Sequence, residues 1–361
     1  MSYASDIRPA ALAIENVHKS FGGMPVLKGV SLSVETGEVV CLLGQSGCGK
    51  TTLLRIAAGL ERPSSGTVSL AGWEVAGADR YLPPEARGVG LMFQDYALFP
   101  HLKIIDNVMF GLATLPIQRA RAIANTALAK VGLPHHANDY PHMLSGGEQQ
   151  RVALARALAP GPRIVLMDEP FSNLDQRLRF SIREETMALL RERQMTAVVV
   201  THDPVEAMSI ADRIVLMRAG MIVESATPEA LYNRPGSLFA ARFFCELNEL
   251  PAVAREGHVE CRLGRFAAPG VPNGEAIVCI RPQSISLRKA ASARGEDAER
   301  GEVRSSRFLG ETRRLLVDVE GLDTPLDVSL PAGGPAFQAG DSVTLEIDRT
   351  RVLVFADEPV R

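Results

Sequence analysis

Apolar residues fall along this chain in two textures. From about residue 12 to about residue 242, short apolar runs alternate with stretches whose apolar positions recur at helical spacing. The runs predict strands over 30–34, 39–43, 67–70, 89–93, 164–167, 197–201 and 214–217. The spacing predicts helices over 117–131, 147–159 and 176–193. Such alternation indicates a layered α/β domain with a largely parallel sheet. The early run over 27–34, the turn Glu35-Thr36-Gly37-Glu38 and the run over 39–43 read instead as two antiparallel strands around a turn. After about Phe243 helical periodicity nearly vanishes. Short alternating strands over 258–263, 276–280, 315–319, 343–347 and 352–355 follow, punctuated by Pro and Gly. They predict a separate small all-β domain, a barrel or sandwich. The division expected is 11–243 and 244–361, with the polar stretch from Lys289 to Arg300 as a solvated loop.

Composition narrows the picture. The chain has 361 residues, 46% of them apolar, and a net charge of −3, which argues against broad nucleic-acid binding through a basic surface. No stretch approaches the ~20 apolar residues that span a bilayer. The start, Met1 to Asp6, has no basic region followed by an apolar one, so no secretory signal is expected. Five cysteines (Cys41, Cys48, Cys245, Cys261, Cys279) lack paired spacing and read as free, small buried thiols in a reducing, cytoplasmic compartment.

Chemistry enters at Gly44-Gln45-Ser46-Gly47-Cys48-Gly49-Lys50-Thr51, a complete phosphate-binding loop. The apolar run 39–43 leads in as a strand, and Thr52 opens a helical pattern leading out. Glycines at both ends let the backbone turn tightly and point its N–H groups at phosphate oxygens. The helix N-terminus adds partial positive charge. Lys50 is placed to reach the β- and γ-phosphates and the Thr51 hydroxyl to ligate Mg²⁺. The loop, with Thr52, is the expected binding site of a nucleoside triphosphate.

Further motifs follow in order. The apolar run 164–167 ends in Asp168 and Glu169. Asp168 fits a carboxylate holding Mg²⁺ through water, and Glu169 a general base that polarises the attacking water. Leu144-Ser145-Gly146-Gly147-Glu148-Gln149-Gln150-Arg151 places Ser145, Gly146 and Gly147 directly before a helix, a second anion site. With this sequence the chain resembles the ATP-binding subunit of an ABC transporter, and 144–149 matches that family's signature.

The resemblance implies roles elsewhere. Gln94 resembles the Q-loop glutamine, which touches Mg²⁺ and the lytic water and precedes the surface engaging membrane subunits. Ser172-Asn173-Leu174-Asp175 resembles the D-loop, with Asn173 replacing a usual small residue. His202 resembles the switch histidine that contacts the γ-phosphate, and Phe21 stands where an aromatic stacks on adenine. The C-terminal region resembles the TOBE domain, an oligonucleotide-binding-type fold of importer ATPases, with Gln283 in Ile280-Arg281-Pro282-Gln283 replacing the usual acid. Nothing in it resembles a nucleic-acid site, since basic-aromatic interleaving is missing.

The implied fold is therefore an α/β P-loop ATPase domain, with an antiparallel β subdomain and a helical signature subdomain, plus an OB-like TOBE domain. The implied assembly is a head-to-tail pair, most simply a homodimer, on the cytoplasmic face of the inner membrane. Each ATP, with Mg²⁺, lies between Lys50's loop of one protomer and Ser145-Gly146-Gly147 of the other. Partners are membrane permease subunits and, indirectly, an extracytoplasmic substrate-binding protein. The chain looks most similar to the ferric-iron type through Glu148 in its signature, Phe99-Pro100-His101-Leu102, and the segment 248–268. Polyamine, sulfate, phosphonate and sugar importers share most of these motifs and stay open as alternatives, as does a non-transport ABC ATPase. A DNA-repair ATPase would insert a long coiled coil before the signature, and the interval here lacks sustained heptads.

Overall fold

The structure, a computed structural model, describes residues 9–172, 174, 176–289 and 299–357. The start of the chain, Asn173 and Asp175 of the D-loop, and 290–298 of the polar stretch lie outside the described residues. Two compact units divide the chain, Met1–Pro228 and Glu229–Arg361.

The first unit begins with strands β1 (Leu12–Phe21), β2 (Met24–Val34) and β3 (Val39–Gly44), followed by helix α1 (Lys50–Ala58). Strands β4 (Ser65–Leu70), β5 (Trp73–Ala76) and β6 (Val89–Met92) come next, then helices α2 (Ile104–Met109), α3 (Ile117–Lys130) and α4 (Gly146–Leu158). The unit closes with β7 (Ile164–Asp168), α5 (Gln176–Glu192), β8 (Thr196–Thr201), α6 (Pro204–Ile210), β9 (Arg213–Arg218) and β10 (Met221–Ala226).

Burial separates its two sheets. Strands β3, β7 and β8 are buried on both faces, as unbroken apolar runs require, and form the middle of a six-stranded sheet of order β10-β9-β3-β8-β7-β6. All its pairings are parallel except β10 with β9. Strand β2 buries alternate residues and pairs antiparallel with β1 in a four-stranded sheet, β2-β1-β4-β5. This corrects the expectation of a hairpin between 27–34 and 39–43. The turn at 35–38 passes the chain from one sheet to the other, because a strand apolar on both faces needs neighbours that are themselves covered on both sides. Helices α2, α3 and α4 pack together, and α3 buries Ala120, Ala124 and Leu128, a four-residue spacing along one face. Among the described residues no helix is long and apolar enough to cross a membrane.

Parallel pairing lines up the carboxyl ends of β3, β8, β7 and β6 on consecutive strands. Those ends lead into Gly44, His202, Glu169 and Gln94 respectively. Open α/β sheets bind ligands at this edge.

The second unit starts with short helices α7 (Pro228–Asn233) and α8 (Leu238–Phe244). Strands β11 (Asn248–Arg255), β12 (His258–Cys261), β13 (Gly264–Ala267), β14 (Gly274–Ile280) and β15 (Ile285–Lys289) follow. The last are β16 (Glu299–Phe308), β17 (Thr312–Val319), β18 (Leu326–Pro331), β19 (Ser342–Ile347) and β20 (Leu353–Ala356). They build two antiparallel five-stranded sheets, β13-β12-β11-β14-β20 and β15-β19-β16-β17-β18, around one apolar core. Asn248 ties the sheets together: its amide donates to the Ile280 carbonyl (3.2 Å) and the Asp327 carbonyl (2.8 Å) and accepts from the Asp327 N–H (2.7 Å). Cys41, Cys48 and Cys279 are buried free thiols, whereas Cys245 and Cys261 are only partly covered, so the expectation of uniformly buried cysteines holds for the first three.

Candidate functional site

The phosphate loop closes tightly between β3 and α1. Gly44, Gly47 and Gly49 have φ of 157°, 80° and 106°, a region that favours glycine. Space is as demanding as angle, since a Cβ on Gly44 would lie 2.4 Å from the Met217 carbonyl oxygen. Lys50, 5% exposed, folds back and donates through Nζ to the carbonyls of Gly44 (2.7 Å) and Gln45 (3.0 Å). No side chain caps α1, whose first N–H groups are thus available to an anion. Cys48, in mid-loop, is buried with Sγ 4.0 Å from Lys50 Nζ.

The Thr51 hydroxyl donates to Asp168 Oδ1 at 3.0 Å. Burial pushes the Asp168 carboxyl above its ordinary value, and the Thr51 hydrogen bond opposes that rise. Two hard oxygen donors at the mouth of a phosphate loop suit Mg²⁺, which keeps several waters and takes few protein ligands. Among the described residues no cluster of three or more His, Cys, Asp or Glu could hold a metal by itself. Phosphate and water would therefore complete the coordination.

Glu169 turns the chain sharply at the end of β7. Its φ of 44° is left-handed, unfavourable for a side-chain-bearing residue. The turn is over-determined: Glu169 N–H donates to the Val200 carbonyl (3.0 Å), and Ser172 donates to the Glu169 carbonyl through N–H (3.3 Å) and Oγ (2.9 Å). The carboxylate thereby faces two other expected site residues. Gln94 Nε2 donates to Oε2 at 3.3 Å, and His202 Nδ1 lies 3.2 Å from Oε1.

Ser145 caps α4 in a capping box: the Glu148 N–H donates to Ser145 Oγ (3.4 Å), while Ser145 N–H (2.8 Å) and Oγ (2.7 Å) both donate to Glu148 Oε2. These donors hold the Glu148 carboxyl below its ordinary value. Gly147 packs closely against α5: a Cβ there would meet Ile182 Cδ1 at 2.3 Å and push that methyl aside. Every hydrogen bond of the Ser145 hydroxyl among the described residues goes to Glu148, so the structure joins Gln94, Glu169 and His202 with one another but not with Ser145. Phe21 ends β1 as a residue 45% exposed, with Lys19 Nζ over its ring at 4.6 Å from the centre, so it is not a core side chain.

Sequence reasoning passed over two charged residues beneath this group. Glu206 is buried on α6, its carboxyl pushed up to about 7 by desolvation. Arg179 on α5 donates through Nη2 to the carbonyls of Leu174 (3.0 Å) and Ser172 (3.5 Å). The spacing Thr201-His202-Asp203 to Glu206 was the available signal, but on a sequence it reads as an ordinary helix start.

Known proteins resemble this chain over both of its units. The family described as ABC transporter matches residues 27–172, and the TOBE domain matches residues 278–355. The Fe(3+) ions import ATP-binding protein FbpC of Rhizobium etli is 43% identical over 317 residues, covering 84% of this chain and 86% of that protein. The protein of the same name from Escherichia coli is 38% identical over 349 residues, covering 95% and 97%. The sulfate/thiosulfate import ATP-binding protein CysA 2 of Chromobacterium violaceum is 42% identical over 316 residues, covering 86% and 85%. Among solved structures, cbiO1 from Clostridium perfringens, part of the ABC transporter complex cbiONQ, matches with TM-score 0.58 and 27% identity over 63% of this chain and 92% of that one. The dimeric structure of MJ0796, a bacterial ABC transporter cassette, matches with TM-score 0.55 and 33% identity over 60% and 98%.

Proposed function

The chain belongs to the ATP-binding subunits of ABC transporters, and from that membership we propose that it powers an importer of ferric iron. The observation carrying the hydrolytic reading is the convergence of Gln94 and His202 on the Glu169 carboxylate, at the strand edge that also bears Lys50, Thr51 and Asp168. Residues 11–243 are assigned to ATP binding and 244–361 to the β domain.

Phosphate binding uses the N–H groups of Gly44 to Thr52, and the Lys50 ammonium exchanges the Gly44 and Gln45 carbonyls for β- and γ-phosphate oxygens. Phe21 stacks on adenine. Mg²⁺, held by Thr51 and Asp168 with Gln94 at hand, would neutralise charge on the phosphates. Glu169 takes the proton of the attacking water, Gln94 orients that water, and His202 meets the charge developing on the γ-phosphate.

Two copies are needed. Ser145, Gly146 and Gly147 of the partner would cover the γ-phosphate from across a two-fold interface, a reading supported by the dimeric cassette MJ0796. ATP contacting both protomers favours the closed pair, and hydrolysis releases it. Membrane permease subunits at the cytoplasmic face, met through the segment after Gln94, convert that closure into uptake from an extracytoplasmic binding protein.

The cargo assignment rests on the relatives named for Fe(3+) import. Deleting the gene and measuring labelled ferric iron uptake under iron limitation tests it. Loss of iron uptake is expected. Retained iron uptake with lost sulfate uptake would transfer the assignment to sulfate, as the Chromobacterium violaceum relative suggests.

A further inference from the structure

Behind the Glu169–His202 contact lies a cavity of about 50 Å³ lined by Glu169, Ser172, Arg179, Thr201, His202, Asp203 and Glu206. Its lining contains two unpaired polar atoms. Glu206 is 4% exposed, yet its Oε1 has no hydrogen-bond partner among the described residues, and neither has Arg179 Nε. A buried acceptor and a buried donor left unpaired on one polar cavity cost free energy unless water fills it, and the volume admits one.

Both residues border the backbone that presents the site. Glu206 lines the cavity together with Thr201, His202 and Asp203, and the Thr201 hydroxyl accepts the Asp203 N–H at 3.1 Å. His202 sits between those two residues. Arg179 clasps the Ser172 and Leu174 carbonyls, and Ser172 holds the Glu169 carbonyl. Glu206 therefore shares one cavity wall with the turn that presents His202, while Arg179 on the same cavity holds the loop that presents Glu169.

We propose that Glu206 is a positioning residue for ATP hydrolysis, its charge acting with Arg179 and a cavity water to lock the His202 turn to the loop after Glu169. The charges around it set its balance. Arg179 and Arg183 on α5 favour the carboxylate, Asp203 at the start of α6 opposes it, and Cys41 on β3 lies within its field. Desolvation outweighs the arginines and raises the group to about 7, so the lock is charged above neutral pH and uncharged below it. Glu169 and His202 complete the cavity's titratable lining.

The inference rests on the assignment of Glu169 and His202 above, and is tested on the full chain by the pH dependence of ATP turnover at saturating Mg-ATP. Wild-type kcat should carry a limb rising with pH through about 7. Glu206→Gln, which keeps the shape and loses the charge, should lower kcat by ~10-fold with KM for ATP within ~2-fold, and should abolish the limb. Glu206→Asp should recover part of kcat and restore a limb. Arg179→Gln removes a cation that favours the carboxylate, so its limb should move to higher pH; this variant decides the matter if Glu206→Gln does not fold. A wild-type limb midpoint in either variant, or wild-type kcat in Glu206→Gln, overturns the proposal. Glu169→Gln measured alongside distinguishes the two assignments, because turnover retained there refutes the base whatever Glu206 does.

Discussion

The Thr51 hydroxyl and the Asp168 carboxylate meet at 3.0 Å, tying the first turn of α1 to the end of β7. Asp168 is buried and carries a raised proton affinity, so without metal its charge opposes folding. Asp168→Asn keeps an acceptor for Thr51 and removes that charge. The variant should melt higher than wild type without nucleotide and lose Mg²⁺-dependent turnover. Thermal melts with and without Mg-ATP check both halves, and an unchanged Mg²⁺ dependence would remove Asp168 from the metal site.

Glu169→Gln should leave ATP binding intact and lower turnover by ~10²–10⁴-fold, the range for loss of a general base. With hydrolysis blocked, the closed pair should persist. Size-exclusion chromatography in ATP should then show a dimer, which Ser145→Arg introduced on the same background abolishes. A monomer at high ATP would count against the two-copy site.

The raised Glu206 carboxyl also makes a stability prediction. The native state binds the extra proton between the ordinary value of 4.5 and about 7, so nucleotide-free stability falls as pH rises across that window and levels off above it. The change attributable to Glu206 is of order 1–3 kcal/mol, and denaturant midpoints of wild type and Glu206→Gln across the same window measure it. A wild-type curve no steeper than the variant's would refute the buried-charge account.

In the β unit, Asn248→Ala strands the Ile280 and Asp327 carbonyls and the Asp327 N–H. A loss of roughly 2–3 kcal/mol is expected in the unfolding transition of that unit. ATP turnover per correctly folded protein should be spared. Loss of turnover in a fully folded variant would show that the β unit shapes the catalytic site.

What could be read from residues alone was whatever depends on local spacing. Gly44 to Thr51 announces its loop because each glycine answers a backbone angle, and Asp168 and Glu169 stand out because charge rarely ends so apolar a run. Strand partners are a different matter. Nothing near residue 35 distinguishes a hairpin turn from a passage between sheets; only the two-sided burial of β3 decides. Strand β16 (Glu299–Phe308) escaped notice because Val303 is its one fully buried apolar residue among polar neighbours. Glu206 and Arg179 were invisible for a third reason. Their importance lies in facing one cavity from separate helices, which no periodicity encodes.

The placement of β3 also governs how the polypeptide can be made. Its partners β8 and β9 pair through Ala197 to Thr201 and Arg213 to Met217, far downstream of Val39 to Gly44. On the ribosome the phosphate loop therefore emerges long before the strands that flank it, and Val39-Val40-Cys41-Leu42-Leu43 waits as an unpaired apolar edge. A nascent chain halted before residue 196 would carry every residue of the loop and still bind no nucleotide stably. It would offer that edge to chaperones or to aggregation until β8 and β9 arrive to cover it.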